Sequence, residues 1–187
     1  TQIKEQFNWL VKDLIEANLY KNRKERPWII TMAHRPLYCS NLGYDAYTWK
    51  VNPMREGMLY EGKLRYGLDA LFYNYNVDLE LWGHEHTYER SYPLYRHTPY
   101  FKNIKRIKGT DYYHNPLAPV HIISGSPGNK EMNGLPVNFT KNDWSAVKSS
   151  AYGFSHMEIH NNTHLHISQV NSKTGDIIDN FWIIKDL

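Results

Sequence analysis

Two histidines two residues apart, His84 and His86, follow a short apolar run of Leu79, Leu81 and Trp82 by way of Gly83. Neutral imidazole binds zinc, iron, copper or nickel, so this stretch could hold a transition metal. Spacing alone says little, because a 187-residue chain with ten histidines yields roughly half of one such pair by chance. A second pair, His164 and His166, lies in NNTHLHISQV, where strand alternation turns both to one face and no glycine turn precedes them. That pair reads as strand surface. The first is set apart by its position just beyond a buried-type strand, where open α/β sheets collect their ligands.

A third imidazole repeats the pattern. Trp28, Ile29, Ile30 and Met32 make another apolar strand, His34 follows it, and Arg35 and Pro36 then lead the chain out of regular structure. Two parallel strands ending this way would bring His34, His84 and His86 to one crevice as metal ligands, the competing reading being three satisfied structural histidines. Glu85, between two of the ligands, either orients them from behind or faces solvent. Arg35 either steers a phosphate or only fixes its loop. His97, His114, His121, His156, His160 and Asn41 carry no motif and read as surface or core.

The blocks TMAHRPLYCSN (31–41) and DLELWGHEHTYERSYPLY (78–95) resemble the last two metal-binding blocks of the purple acid phosphatases, a branch of the calcineurin-like metallophosphoesterases. QFNWLVKDL and RPWIITMAH upstream, and PVHIISGSPGNKE and WSAVKSSAYGFSHMEIHNNTHLHISQV downstream, extend the resemblance over nearly the whole chain. It implies an α/β fold, the C-terminal part of a metallophosphoesterase β-sandwich flanked by helices (αββα) that ends in a mainly antiparallel sheet. It implies an acid phosphatase that hydrolyses phosphate monoesters with a metal-bound hydroxide at a dinuclear centre of Fe(III) plus Zn(II), Fe(II) or Mn(II). His34 and His84 would bind the divalent ion and His86 the Fe(III), and the acidity of Fe(III)-bound water implies a low pH optimum. Plant-type members carry a substrate-facing histidine ten residues beyond the counterpart of His34; Tyr44 stands there, and either it donates a hydrogen bond to the phosphate instead or the loop differs.

The family's first three metal-binding blocks have no match. Gly128 and Asn129 start like a Gly-Asn-His block but continue with Lys130, and GTDYY at 109–113 is a similar near miss. The expectation is therefore a C-terminal portion, inactive alone, whose partners are the missing N-terminal half and small phosphate monoesters. A homodimer is compatible with this. Residues 1–115 would form the C-terminal half of the metallophosphoesterase core and 116–187 a C-terminal β segment of the same domain. The alternatives are a truncated, glycosylated binding module without activity, and a metallophosphodiesterase or nucleotide pyrophosphatase using another metal pair.

Net charge is +3, from 22 basic and 19 acidic residues. The one basic cluster, Lys102, Lys105, Arg106 and Lys108, reads as a solvated loop and not a nucleic-acid surface. No apolar run approaches the roughly 20 residues that span a membrane, and no signal peptide opens the chain, which is uninformative if its N-terminal half is missing. Sequons at Asn138 and Asn161 point to glycosylation, hence to a secreted or lysosomal protein. The lone Cys39 cannot make an internal bridge and reads as a free thiol, the alternative being a bridge to a cysteine in the missing half or in another subunit.

The elements that must carry the histidines follow from periodicity. Ile3, Phe7, Leu10, Val11 and Leu14 predict a helix over 2–20, with basic residues 21–26 at its C-terminus and Pro27 closing it. Strands are expected at 28–32 and 79–82, with a long loop from 35 to about 53 and a helix over 56–74 between them. Strands at 120–124, 153–160, 165–170 and 177–184 complete the expected order.

Overall fold

The computed structural model describes residues 2–41, 52–128 and 142–186. Its helices are α1 (Gln2–Ala17), α2 (Tyr20–Glu25), α3 (Pro53–Glu56) and α4 (Leu68–Asn74). The strands are β1 (Ile30–Ala33), β2 (Met58–Tyr60), β3 (Lys63–Arg65), β4 (Leu79–Trp82), β5 (Tyr88–Ser91), β6 (Leu94–Tyr95), β7 (Thr98–Pro99), β8 (Ile104–Ile107), β9 (Thr110–His114), β10 (Val120–Ser124), β11 (Ser145–Ser149), β12 (Gly153–Ile159), β13 (His164–Asn171) and β14 (Ile177–Ile184).

Two five-stranded sheets form a sandwich. The first has the order β1-β4-β10-β5-β11, in which β1, β4 and β10 are parallel neighbours and β5 alone runs the other way, pairing antiparallel with both β10 and β11. The second, β12-β13-β14-β9-β8, is antiparallel except where β14 lies parallel to β9. Alternation decides which side chains meet between them. Leu79, Val120, Ile122 and Tyr88 from the first sheet pack on Tyr113, Leu165, Ile167, Phe181 and Ile183 from the second. The opposite face of the first sheet presents Trp82 and Ile123 to Leu14 of α1 and Leu71 and Phe72 of α4. Helical residues thus enter the core on that side, and none belongs to the sandwich cluster. This is the expected mixed α/β β-sandwich.

The helix expected over 56–74 is replaced by α3, the β2–β3 hairpin and α4. Glycine chemistry explains the break. Gly57 has φ +97° and a Cβ there would stand 2.4 Å from the Arg65 carbonyl oxygen, while Gly62 at φ +73° makes the hairpin turn. The helix over 2–20 divides after Ala17, where the Asn18 side-chain Nδ2 donates to the carbonyls of Leu14 and Tyr75, each at 2.8 Å. Of the basic cluster expected in a loop, Lys105 and Arg106 lie on β8, with Lys102 in the turn before it and Lys108 in the turn after it.

One buried carboxylate holds β1 against β4. Asp78, immediately before β4, accepts from the Ile29 amide at 2.9 Å and from Lys185 Nζ at 2.7 Å, and pairs with Arg23 of α2 at 3.4 Å. That anchor sets the register Ile30↔Leu79 through Ala33↔Trp82, so both strands end at the same level.

Beneath the helices, Glu80 of β4 and His121 of β10 form a buried ion pair, Oε2 to Nδ1 at 3.0 Å. Burial pushes the Glu80 carboxyl above the usual carboxylate range, and the His121 charge offsets this only in part. For His121 burial works against the imidazolium, but the Glu80 carboxylate outweighs it and the pKa rises. Both groups therefore hold protons more tightly folded than unfolded. Their contribution is fully present below the unfolded carboxyl pKa of about 4.3, and declines as pH rises through the imidazole value of about 6.5 and beyond. Relative to the Glu80→Gln, His121→Gln double variant, the wild-type protein should lose melting temperature steadily from pH 4.5 upward. A difference independent of pH in calorimetry would contradict this.

Candidate metal centre

β1 and β4 end side by side, and the chain beyond each carries the imidazoles. His34 Nε2 and His84 Nδ1 stand 3.1 Å apart, with their rings edge to face and centroids 4.9 Å apart. The Gly83 amide donates to the His34 carbonyl at 3.0 Å, which ties the two loops together at the backbone. His84 adopts φ +66°, a left-handed conformation that turns the chain sharply just after Gly83. His86 follows two residues on in the same loop, half-buried. His34 and His84 form a close pair; among the described residues the three imidazoles are not a group whose ligand atoms all lie within 4.8 Å of one another.

The close pair fits one shared cation. Two nitrogens each about 2.1 Å from an ion, at tetrahedral or octahedral angles, stand about 3.0–3.4 Å apart. Without an ion the same approach is a hydrogen bond between rings. Imidazole donors suit a transition metal better than magnesium or calcium.

Glu85 is buried at 8 % exposure, and its Oε2 accepts from Asn41 Nδ2 at 3.1 Å. Its burial sets aside the solvent-facing reading, and the Asn41 contact anchors the carboxylate within the loop that carries His84 and His86. Asn41, assigned no role from sequence, is its buried partner; the signal was its place at the end of the 31–41 block. Cys39 is a free thiol, fully buried, and its Sγ accepts from the Asn41 amide at 3.3 Å. Burial, then the charges of Glu85 and Glu89, push this thiol well above its ordinary pKa, which disfavours the thiolate. Glu89 secures the same loop from the other side, accepting from the Ser40 amide at 2.8 Å and from Ser145 Oγ at 2.6 Å.

Gly125, after β10, packs directly beneath the histidine loop. Its amide donates to the Thr87 carbonyl at 3.0 Å, and a Cβ would stand 1.9 Å from the Glu85 carbonyl oxygen. No side chain fits there without moving the loop. Gly125→Ala should lower stability by about 1–3 kcal/mol, the usual cost of overpacking, and should weaken metal retention as well. Unchanged melting and metal content in this variant would show that the loop yields freely.

Arg35 is exposed beside His34. Tyr44 and Asn138 lie outside the described residues. Asn161 is exposed at the tip of the β12–β13 hairpin. His164 and His166 lie on β13 as the alternation predicts, but His166 also stands with Glu158 and His160, one ligand atom from each lying within 4.8 Å of the others. Sequence reasoning missed that trio because only strand register brings its members together. Among the described residues no helix is long and apolar enough to cross a membrane.

Family models match in two consecutive stretches: calcineurin-like phosphoesterase over residues 2–88, and iron/zinc purple acid phosphatase-like protein C over residues 118–180. Acid phosphatase type 7 from Homo sapiens is 46 % identical over 99 % of this chain, and that from Danio rerio 45 % over 97 %. The chain spans about 40 % of the length of these curated relatives. A purple acid phosphatase from yellow lupin (Lupinus luteus) seeds superimposes with a TM-score of 0.71 at 28 % identity, covering 97 % of this chain and 28 % of that one. The shared sandwich, the two consecutive matches and the paired imidazoles at the strand ends agree: the chain belongs to the purple acid phosphatase branch of the calcineurin-like phosphoesterases.

Proposed function

We propose that this chain supplies the last two ligand-bearing segments of an acid phosphatase acting on small phosphate monoesters at a dinuclear centre of Fe(III) and a divalent ion, Zn(II), Fe(II) or Mn(II). The observation that carries this reading is the 3.1 Å approach of His34 Nε2 and His84 Nδ1, at the spacing of two ligands on one ion. In this reading His34 and His84 hold the divalent ion and His86 holds the Fe(III). When bound, such a pair supplies Lewis acidity toward phosphoryl oxygens and acidifies water. The chain's own residues do the rest. Asn41 holds Glu85, and Glu85 fixes the strained loop, so both ligating rings are oriented before substrate arrives. Arg35 lies beside His34, where a guanidinium attracts an anion and can bind it in bidentate fashion. Tyr44 holds the sequence position of the family's substrate-facing histidine, and its hydroxyl would donate to the phosphate. The remaining ligands come from sequence that precedes this chain in the full-length protein, which acts in the secretory pathway or the lysosome; the exposed Asn161 sequon supports that location.

The test is phosphate release from p-nitrophenyl phosphate and from bis(p-nitrophenyl) phosphate by a metal-loaded full-length protein and by this chain alone. The full-length protein should hydrolyse the monoester faster than the diester, most rapidly at acid pH. The chain alone should give no steady turnover, since three imidazoles divided between two ions leave each under-coordinated. A preference for the diester would point to the phosphodiesterase alternative, and steady turnover by the chain alone would overturn the division of ligands.

A further inference from the structure

The second sheet carries a cluster that the phosphatase reading does not use. Glu158 of β12 lies opposite His166 of β13, and His166 lies opposite Trp182 of β14. Directly opposed residues share a face, so the three stand in a row across three strands. His160 joins them from the hairpin turn, where its amide donates to the His164 carbonyl at 3.0 Å. One oxygen of Glu158 and one nitrogen from each histidine lie within 4.8 Å of one another, and the Glu158 Oε2 to His160 Nε2 distance is 3.3 Å. The last value is already that of two ligands on one ion; the whole group needs movements on the order of 1 Å to close around zinc. Exposed side chains make such shifts by small rotamer changes.

Two neighbours prepare the ring of His166. Asn180 Nδ2 donates to Thr110 Oγ1 at 3.1 Å, which turns its oxygen toward His166, and that oxygen lies 2.5 Å from Nε2. An amide oxygen only accepts, so Nε2 carries the proton and the lone pair is left on Nδ1. A histidine whose second nitrogen is held this way is the usual form of a metal ligand. Trp182 stacks on the same ring with centroids 4.5 Å apart and lies 4.9 Å from the His160 ring, which limits how far either can turn.

We propose that Glu158, His160 and His166 form a second, peripheral site for a divalent transition ion, zinc foremost, on the outer part of the second sheet. Two imidazoles and one carboxylate are the donor set for zinc with a solvent-facing open position, whereas magnesium and calcium favour oxygen ligands. The site is independent of the His34–His84 centre, which lies at the ends of β1 and β4 in the other sheet.

Equilibrium dialysis of unglycosylated protein against Zn²⁺, with metal counted by elemental analysis, tests the proposal. His160→Ala and Glu158→Gln, both at exposed positions, should each weaken one zinc site by at least about tenfold and leave far-UV circular dichroism unchanged. His84→Ala should leave that site intact. Ni²⁺ or Cu²⁺ should quench Trp182 fluorescence in the wild type and in His84→Ala, but much less in His160→Ala. Asn180→Leu should weaken zinc as well, without removing a ligand. Zinc stoichiometry and affinity identical in wild type, His160→Ala and Glu158→Gln would overturn the assignment, as would displacement of the zinc by equimolar Mg²⁺.

Discussion

In the full-length protein, His84→Ala and His86→Ala should each cut phosphate-monoester turnover by at least about 100-fold, while His164→Ala leaves it nearly unchanged. Direct metal stabilisation of a phosphoryl transition state contributes several kcal/mol, and each 1.4 kcal/mol is a factor of ten in rate. His84 has two reasons to be sensitive: it approaches His34 within 3.1 Å, and its backbone sits at φ +66°. His164 has the same spacing to its neighbour but a different setting. It lies on β13, and its Nδ1 is 2.7 Å from Thr163 Oγ1 in the hairpin turn. Measuring kcat and bound metal together separates ligand loss from misfolding, because ligand loss lowers both and leaves the melting curve in place. Equal losses from all three substitutions would remove the distinction between the two His-x-His pairs.

That distinction was legible because it rests on local grammar. An apolar strand followed by a polar ligand run is a pattern of neighbours in sequence; β4 formed at the expected 79–82 and β1 at 30–33, two residues later in start than the expected 28–32, and the two are parallel neighbours. β10 and β14 likewise match their expected spans, since Val120–Ser124 and Ile177–Ile184 are bounded by clear breakers. What escaped depends on partners distant in sequence. Glu158 and His160 offer no signal until register sets them against His166. The helix expected over 56–74 failed for a different reason: its leucines fit a helical stripe, but Gly57 and Gly62 need backbone conformations that a helix does not supply. GTDYY shows a correct dismissal whose positive meaning was hidden. Its Asp111 and Tyr113 are buried partners of Arg90, a residue that attracted no notice inside the metal-binding block.

Replacing Arg90 should produce the largest loss of stability of any single substitution considered. Its side chain is fully buried between the sheets. It projects from β5 of the first sheet and donates to Asp179 of β14 through Nε at 2.6 Å and Nη2 at 2.8 Å, and to Asp111 of β9 at 2.8 Å. Tyr113 is a further partner, Tyr88 donates to Asp179 at 2.6 Å, and the Phe181 ring lies 4.5 Å from the guanidinium carbon. Burial works against the guanidinium charge, but the Asp179 hydrogen bonds outweigh it and keep Arg90 charged. Arg90→Met leaves Asp179 without its cation and Asp111 with only the exposed Arg106 at 3.4 Å. Breaking a buried pair from one side costs about 3–5 kcal/mol, which for a urea slope of about 1–3 kcal/mol/M moves the unfolding midpoint down by roughly 1–5 M. The penalty comes from stranded carboxylates, so removing them should restore much of it. Arg90→Met combined with Asp111→Asn and Asp179→Asn should unfold at a higher urea concentration than Arg90→Met alone, although three side chains have been changed instead of one. If the triple variant is no more stable than the single one, the two sheets are held together by the shape of the guanidinium among Tyr88, Tyr113 and Phe181, and not by its charge.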